Sequence, residues 1–342
     1  MPSLSQTTSA IASTAAILVI SSFIMPLFNS NKLPVEGRLV VVTGGSQGMG
    51  LSVAKLLASK GANVAIIARN REKLDRAVGE IRASAAKEEQ RFIAVSADLT
   101  GASEARRALE EIRTWGGAPD IVWTCAGEAF PGFFKDQDVQ LLEKQVQTNY
   151  LSVLWTAHAA LNIMTQSPLP PQSPKRHLIF TSSVMAFYPL AGYNAYTPSK
   201  AAIRSLADGL RQECHLYNIA VRVCFPGTIY SPGFETEQLM KPEITKILEG
   251  SDEGQSPDEV AKQCVKRLEK GHALAVSSFM GETLRAASWG ASPRGSWVWD
   301  TIFAWIINVV WLFMGPVMDS EVVKYRKKKG DGAFYSAPPK GA

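Results

Sequence analysis

Cysteine and histidine are scarce in this chain, with four of each among 342 residues. Cys125, Cys214, Cys224 and Cys264 stand 89, 10 and 40 residues apart, with no C-x-x-C pair and no histidine at zinc-site spacing. A metal site needs such a cluster of ligands, so none is expected, and the cysteines read as reduced thiols in a cytosol-facing protein. Charge is missing altogether from residues 1–31 and concentrated in residues 321–342, where six Lys/Arg meet two Asp/Glu. That tail takes most of the net +5, so the body between is close to neutral and lacks the broad basic face of a nucleic-acid binder. The chain also lacks an internal repeat. At 46% hydrophobic and 20% charged residues, with 26 Gly and 19 Pro, it is neither disordered nor collagen-like, and should fold around a sizeable core.

What is present begins with two long apolar stretches. Residues 10–28 run for 19 positions without a charge, close to the ~20 that span a bilayer. A cleaved signal peptide would carry a basic segment ahead of a shorter apolar run; here the first charge is Lys32, so the stretch reads as an uncleaved transmembrane anchor. Positive charge follows it (Lys32, Arg38) and none precedes it, which places the body in the cytosol. Residues 297–318 are Trp-rich and apolar apart from Asp300 and Asn308, and Lys324, Arg326, Lys327, Lys328 and Lys329 follow. A full crossing would carry that basic cluster to the wrong side, so a re-entrant or interfacial segment is expected, with a buried core helix as the alternative.

Between these ends, short β-rich runs alternate with helical periodicity. Strands are expected near 38–43, 63–68, 91–95, 120–124, 177–181 and 219–224, with a seventh at 273–277. Near-continuous apolar strands separated by helices imply a parallel sheet covered on both faces, a doubly wound α/β (Rossmann) domain. The Pro- and Ser-rich stretch 165–175 reads as an insertion loop before the fifth strand.

The first strand-to-helix turn is Thr43, Gly44, Gly45, Ser46, Gln47, Gly48, Met49, Gly50, a T-G-x-x-x-G-x-G pattern. Glycines there let the backbone approach a pyrophosphate, whose charge meets amides at the helix N-terminus. About 20 residues on, where an NAD site presents an acid to the ribose, this chain has Arg69, with Arg71 and Lys73 close behind. A guanidinium pairs with a 2′-phosphate, so NADPH is the expected cofactor; a solvated helix start is the plainer reading of Arg69. Asp98 and Leu99, after the third strand, fall where the adenine lies in such a fold.

Tyr196 and Lys200 form Y-x-x-x-K, whose i, i+4 spacing puts phenol and ammonium on one helix face. A cation near the phenol lowers its pKa toward working pH, where it can exchange a proton with a carbonyl or alcohol oxygen. Ser183, thirteen residues earlier, can reach the same oxygen.

The glycine turn, Ser183, Tyr196 and Lys200, in that order, resemble the short-chain dehydrogenase/reductase family from about residue 38 to residue 278. The resemblance implies a catalytic role for Asn149 beside the other three, and makes Pro226-Gly227 the turn bordering the nicotinamide. Gly44, Ser46, Gly48, Gly50, Arg69, Lys73, Asp98, Leu99, Tyr196, Lys200 and Pro226 become the cofactor-binding set. Cys125-Ala126-Gly127 departs from the family's N-A-G and puts the local strand-stabilising hydrogen bonds in question. Downstream strings (Ser231 to Glu235, Lys241 to Glu243, Ile247 to Gly250), together with the two apolar ends, look like the 3-ketodihydrosphingosine reductases. That likeness implies NADPH-dependent reduction of 3-oxosphinganine, a long-chain keto-amine lipid, at the cytosolic face of the endoplasmic reticulum membrane. A retinol- or hydroxysteroid-type dehydrogenase shares the same features, and a membrane-tethered NADPH-binding scaffold without turnover is an alternative of another class. The expected organisation is an anchor at 1–35, the reductase domain at 36–290, and a hydrophobic segment with a basic cytosolic tail at 291–342. The sequence is open to a homo-oligomer and names no nucleic-acid partner.

Overall fold

The structure, a computed structural model, describes residues 31–250 and 253–335; the apolar run 10–28, and with it the expected anchor, lies outside them. The chain alternates Leu39–Thr43 (β1), Gly48–Ala58 (α1), Asn63–Ala68 (β2), Arg71–Ala83 (α2), Phe92–Ser96 (β3), Ala102–Gly116 (α3) and Ile121–Thr124 (β4). Val139–Val146 (α4) then runs through a π turn, Gln147–Leu151, into Ser152–Gln166 (α5). Arg176–Thr181 (β5), Tyr196–Glu213 (α6) and Ile219–Phe225 (β6) follow, then Pro232–Met240 (α7), Glu243–Glu249 (α8), Pro257–Glu269 (α9), Leu274–Val276 (β7), Phe279–Ala287 (α10) and Trp297–Lys329 (α11).

The strands form one parallel sheet of order β3-β2-β1-β4-β5-β6-β7. Side chains alternate between the faces of a strand, and here both faces are dry: Val41 joins Leu109, Ile112, Val153 and Ile203 on one side, while Val40 and Val42 join Val53, Leu57, Val260 and Leu268 on the other. This double burial is why the strands read as unbroken apolar runs. The expected strands are all present, the seventh shortened to three residues. The Pro-rich loop before β5 is present too, and Arg176 at its far end ties it down by donating Nη1 to the Met164 carbonyl at 2.6 Å.

The strand order reverses between β1 and β4, so their carboxyl ends open a crevice into which the following loops project. All the candidate chemistry lies around that crevice.

At the C-terminal end, α11 is one continuous helix of 33 residues that passes through Pro316 without reversing, so the re-entrant alternative is corrected. Asp300 accepts from the amides of Gly295 (2.7 Å) and Ser296 (3.0 Å) and pairs with Arg285 at 3.2 Å, while Asn308 donates to the Ala304 carbonyl at 2.8 Å. Both polar residues of the apolar stretch are thus satisfied within the protein. The far end returns to the body, where Lys329 pairs with Glu243 of α8 at 2.7 Å. One side of α11 faces the crevice; on the other, Trp305, Leu312 and Phe313 are 74%, 70% and 69% exposed. By length and composition it is apolar enough to cross a membrane.

Candidate active site

The glycine turn closes β1 and opens α1. Gly44 and Gly48 have φ of +65° and +55°, the left-handed region that favours glycine. A Cβ on Gly44 would stand 2.8 Å from the Ala126 backbone, and one on Gly50 would overlap the Gly44 carbonyl. Gln47 begins α1 without a side-chain cap, and the first turn carries no acid, so the leading amides of the helix remain available to an anion. This cradle fits a dinucleotide pyrophosphate.

Arg69, at the end of β2, is half exposed, and Lys73 reaches across to donate Nζ to Gln47 Oε1 at 2.8 Å. No acid stands at this place in the sequence, but the fold supplies one from the loop after β4: Glu128 Oε2 lies 3.8 Å from Arg69 and also neighbours Lys144 at 3.4 Å. Asp98 turns its carboxylate onto its own loop, accepting from Thr100 N at 3.1 Å and Thr100 Oγ1 at 2.8 Å, and Leu99 is buried beside it.

Cys125 keeps the tie between β1 and β4 by its backbone. Its amide donates to the Thr43 carbonyl and to Thr43 Oγ1, each at 3.2 Å, so Thr43 secures the strand ends. Burial pushes the thiol up to about 12, which disfavours the thiolate, and its Sγ accepts from Thr181 Oγ1 at 3.5 Å.

Tyr196 opens α6, which admits Pro198 in its first turn, and Lys200 follows one turn on. Lys200 is buried, and Tyr196 is partly buried where it lines the cleft. Lys200 Nζ donates to the Thr181 carbonyl at 3.3 Å and stands 5.5 Å from the centre of the Tyr196 ring. Burial pulls the ammonium down to about 8 and pushes the phenol well above its usual range; nearby Glu237 raises the phenol further, while a hydrogen bond with Ser183 works against both. Desolvation therefore outweighs the lowering expected from Lys200, and the phenol is held protonated.

Asn149 lies behind the cavity wall, fully buried in the π turn between α4 and α5. Its Nδ2 donates to the carbonyls of Glu128 (2.7 Å) and Gln145 (2.9 Å), and its Oδ1 accepts from Glu128 N at 3.1 Å. A Cβ on Gly127 would stand 2.9 Å from Asn149 Oδ1 and 3.2 Å from Lys200 Nζ, so a glycine is what lets the two come together. π turns recur at functional sites, and this one was not legible in the sequence.

Asn149 aside, the expected catalytic and cofactor-binding residues line one cleft of about 1430 Å³. Pro226 borders it, and its carbonyl accepts from the Val184 amide at 3.0 Å. The sequence pointed to the 297–318 segment at the pocket mouth but named none of the residues of the substrate end. There Ile307, Trp311, Met314 and Met318 of α11 form an apolar wall, with Trp311 5.3 Å from Tyr188 between ring centres. Sequence reasoning missed an ionic cluster of Tyr193, Glu237, Lys241 and Glu249, whose one linear signal was the i, i+4 spacing of Glu237 and Lys241. Among the described residues no group of three or more His, Cys, Asp or Glu side chains could hold a metal ion.

Comparison with known proteins agrees with this geometry. The short chain dehydrogenase family model matches residues 38–241. The 3-ketodihydrosphingosine reductase ksrA of Aspergillus fumigatus is 44% identical, with 89% of this chain and 88% of that protein covered. The 3-ketodihydrosphingosine reductase gsl-3 of Neurospora crassa is 38% identical over 90% and 87%, and the 3-dehydrosphinganine reductase of Danio rerio 31% identical over 81% and 82%. A short-chain type dehydrogenase/reductase from Mycobacterium ulcerans superposes with a TM-score of 0.62 at 22% identity, covering 71% of this chain and 89% of that one, a likeness of fold. With a family model over most of its Rossmann domain and relatives of this identity along most of its length, the chain belongs to the short-chain dehydrogenase family.

Proposed function

We propose that this protein is a 3-ketodihydrosphingosine reductase that uses NADPH to reduce 3-oxosphinganine to sphinganine in sphingolipid synthesis. The observation that carries this reading is the continuity of the cleft. A pyrophosphate cradle, the Ser183-Tyr196-Lys200 set and an apolar wall from α11 follow one another in a single cavity, suited to a cofactor at one end and an alkyl chain at the other.

A reduced nicotinamide cofactor, which the family's fold implies, supplies a hydride to the ketone carbon when bound. The protein's part is to bind, orient and protonate. Gly44, Ser46, Gly48 and Gly50 hold the pyrophosphate; Arg69 and Lys73, the cations at the end of β2 and the start of α2, favour the 2′-phosphate of NADPH. Ser183 and Tyr196 donate hydrogen bonds to the carbonyl oxygen, stabilising the charge that develops there. Burial keeps the Tyr196 phenol protonated until an alkoxide, a far stronger base, forms beside it and takes the proton. Lys200, fixed on the Thr181 carbonyl, holds the cofactor ribose and offsets the negative charge left on Tyr196. Asn149, which accepts from the Glu128 amide beside Lys200, supports a water path that returns a proton to Tyr196.

The substrate dissolves mainly in membrane, and the chain's ends suit that. The run 10–28 anchors the protein in the endoplasmic reticulum with the catalytic domain in the cytosol, and α11 lies in the cytosolic interface. Tied to the body through Asp300 at one end and Lys329 at the other, it turns Trp305, Leu312 and Phe313 toward lipid and its opposite side toward the cavity. The deciding experiment is NADPH oxidation by the full chain with 3-oxosphinganine and a keto-steroid side by side. The reading requires turnover of the keto-amine; turnover of the steroid alone makes it a hydroxysteroid-type dehydrogenase, and turnover of no ketone makes it a scaffold.

A further inference from the structure

The helical hairpin α7–α8 sets two carboxylates against one ammonium at the substrate end of the cleft. Lys241, whose side chain is 2% exposed, pairs with Glu237 Oε1 at 3.1 Å and with both oxygens of Glu249 at 2.9 and 2.8 Å. The Tyr193 hydroxyl donates to Glu237 and also contacts Glu249 at 3.2 Å. The hairpin is seated on the loop before α6, where Thr245 Oγ1 donates to the Ala191 carbonyl at 2.7 Å, and Gly192, with φ +97°, leaves room for that hydroxyl.

If the cluster served only to pin the hairpin, one carboxylate would match one lysine. The second leaves a formal charge of −1 in a half-buried site, which is costly unless a further cation completes it. The spare valence is also located. Glu237 Oε1 is taken by Lys241 and Tyr193, but among the described residues no donor reaches Oε2, and Glu237 lines the cleft. Glu237 and Glu249 line the cleft beside Tyr193, whereas the cofactor end carries both signs, Arg69 and Lys73 with Asp98 and Glu128. The distance to the chemistry is short, since the Tyr193 and Tyr196 ring centres lie 5.9 Å apart.

We infer that Glu237, held by Tyr193 and Lys241 and backed by Glu249, is the receptor for the ammonium group that the substrate carries on the carbon next to its ketone. This rests on the reading of the substrate as a keto-amine and adds the group that selects it. An ammonium one carbon from the carbonyl reaches a carboxylate on the Tyr193 side while the carbonyl oxygen stays on Ser183 and Tyr196. A neutral ketone, whether a sterol or a plain alkyl chain, leaves the surplus charge uncompensated and is selected against.

The test uses the full-length protein in detergent micelles, with NADPH oxidation measured on 3-oxosphinganine and on 1-hydroxyoctadecan-3-one, the same chain without the amine. Glu237→Gln should lower the ratio of kcat/KM for the amine over the des-amino ketone by about 10-fold or more, mostly through KM, and Glu249→Gln should lower it less. NADPH binding followed in parallel reports folding; if Glu237→Gln fails to fold, Glu249→Gln alone decides by the same ratio. Equal loss on both ketones, or an unchanged ratio, overturns the assignment of Glu237 while leaving the keto-amine reduction intact. A wild-type enzyme that prefers the des-amino ketone overturns it directly, and one that never turns over 3-oxosphinganine removes the underlying reading.

Discussion

Lys200 holds its ammonium 5.5 Å from the centre of the Tyr196 ring, with Lys200 buried and Tyr196 partly buried at the open end of the β1–β4 crevice. The pair is in tension, because burial drives each toward its neutral form. A neutral phenol is the form needed to give a proton away. Tyr196→Phe keeps the ring and removes the donor, so turnover should fall about 10²–10⁴-fold with NADPH binding nearly intact. Single-turnover kinetics beside a binding titration check this; near-normal turnover removes the mechanism.

Arg69 has a rival for its charge in Glu128, 3.8 Å away. Arg69→Asp should weaken NADPH by about 1–3 kcal/mol through loss of a charge-assisted pair and shift selectivity toward NADH. Michaelis constants for both cofactors decide it. An unchanged preference would transfer the selecting role to Lys73, Arg71 or Ser46.

His177, in β5 and 2% exposed, is pulled down to about 3, chiefly by burial and then by the positive charges of Arg222 and Arg38. Its folded pKa lies below the unfolded value of about 6.5, so the unfolded chain binds the extra proton first. The stability it contributes is complete above pH 6.5 and lost as pH falls toward 3, on the order of 2 kcal/mol between pH 6.5 and pH 5. Urea midpoints over that range should fall for the wild type and fall less for His177→Val; parallel curves would mean His177 is not the titrating group.

The apolar wall supplied by α11 predicts a chain-length effect. Trp311→Ala should raise KM for a long-chain ketone more than for a short soluble analogue. Deleting residues 1–31 should weaken membrane attachment without abolishing it, and removing 297–342 as well should release the protein to the soluble fraction. Protease outside sealed microsomes should cut the tail at 324–329. A tail protected until detergent is added would show that the segment crosses the bilayer.

The sheet was legible in the sequence, because strands buried on both faces must be apolar throughout, and so was the cofactor turn, because only glycines tolerate the backbone approach seen at Gly44 and Gly50. Tyr196 and Lys200 were legible for the same local reason, since helical spacing alone puts them on one face. Glu128 opposite Arg69, Asn149 behind Gly127, the Glu237–Lys241–Glu249 cluster and the α11 wall were decided by the tertiary structure. Apart from the i, i+4 step between Glu237 and Lys241, these contacts join positions at separations with no helical or strand period, among them 44 residues between Tyr193 and Glu237, 59 between Arg69 and Glu128 and 130 between Tyr188 and Met318. The direction of the Tyr196 titration belongs with these. Spacing places a cation beside the phenol, but how much water the packed domain removes from both decides which effect wins.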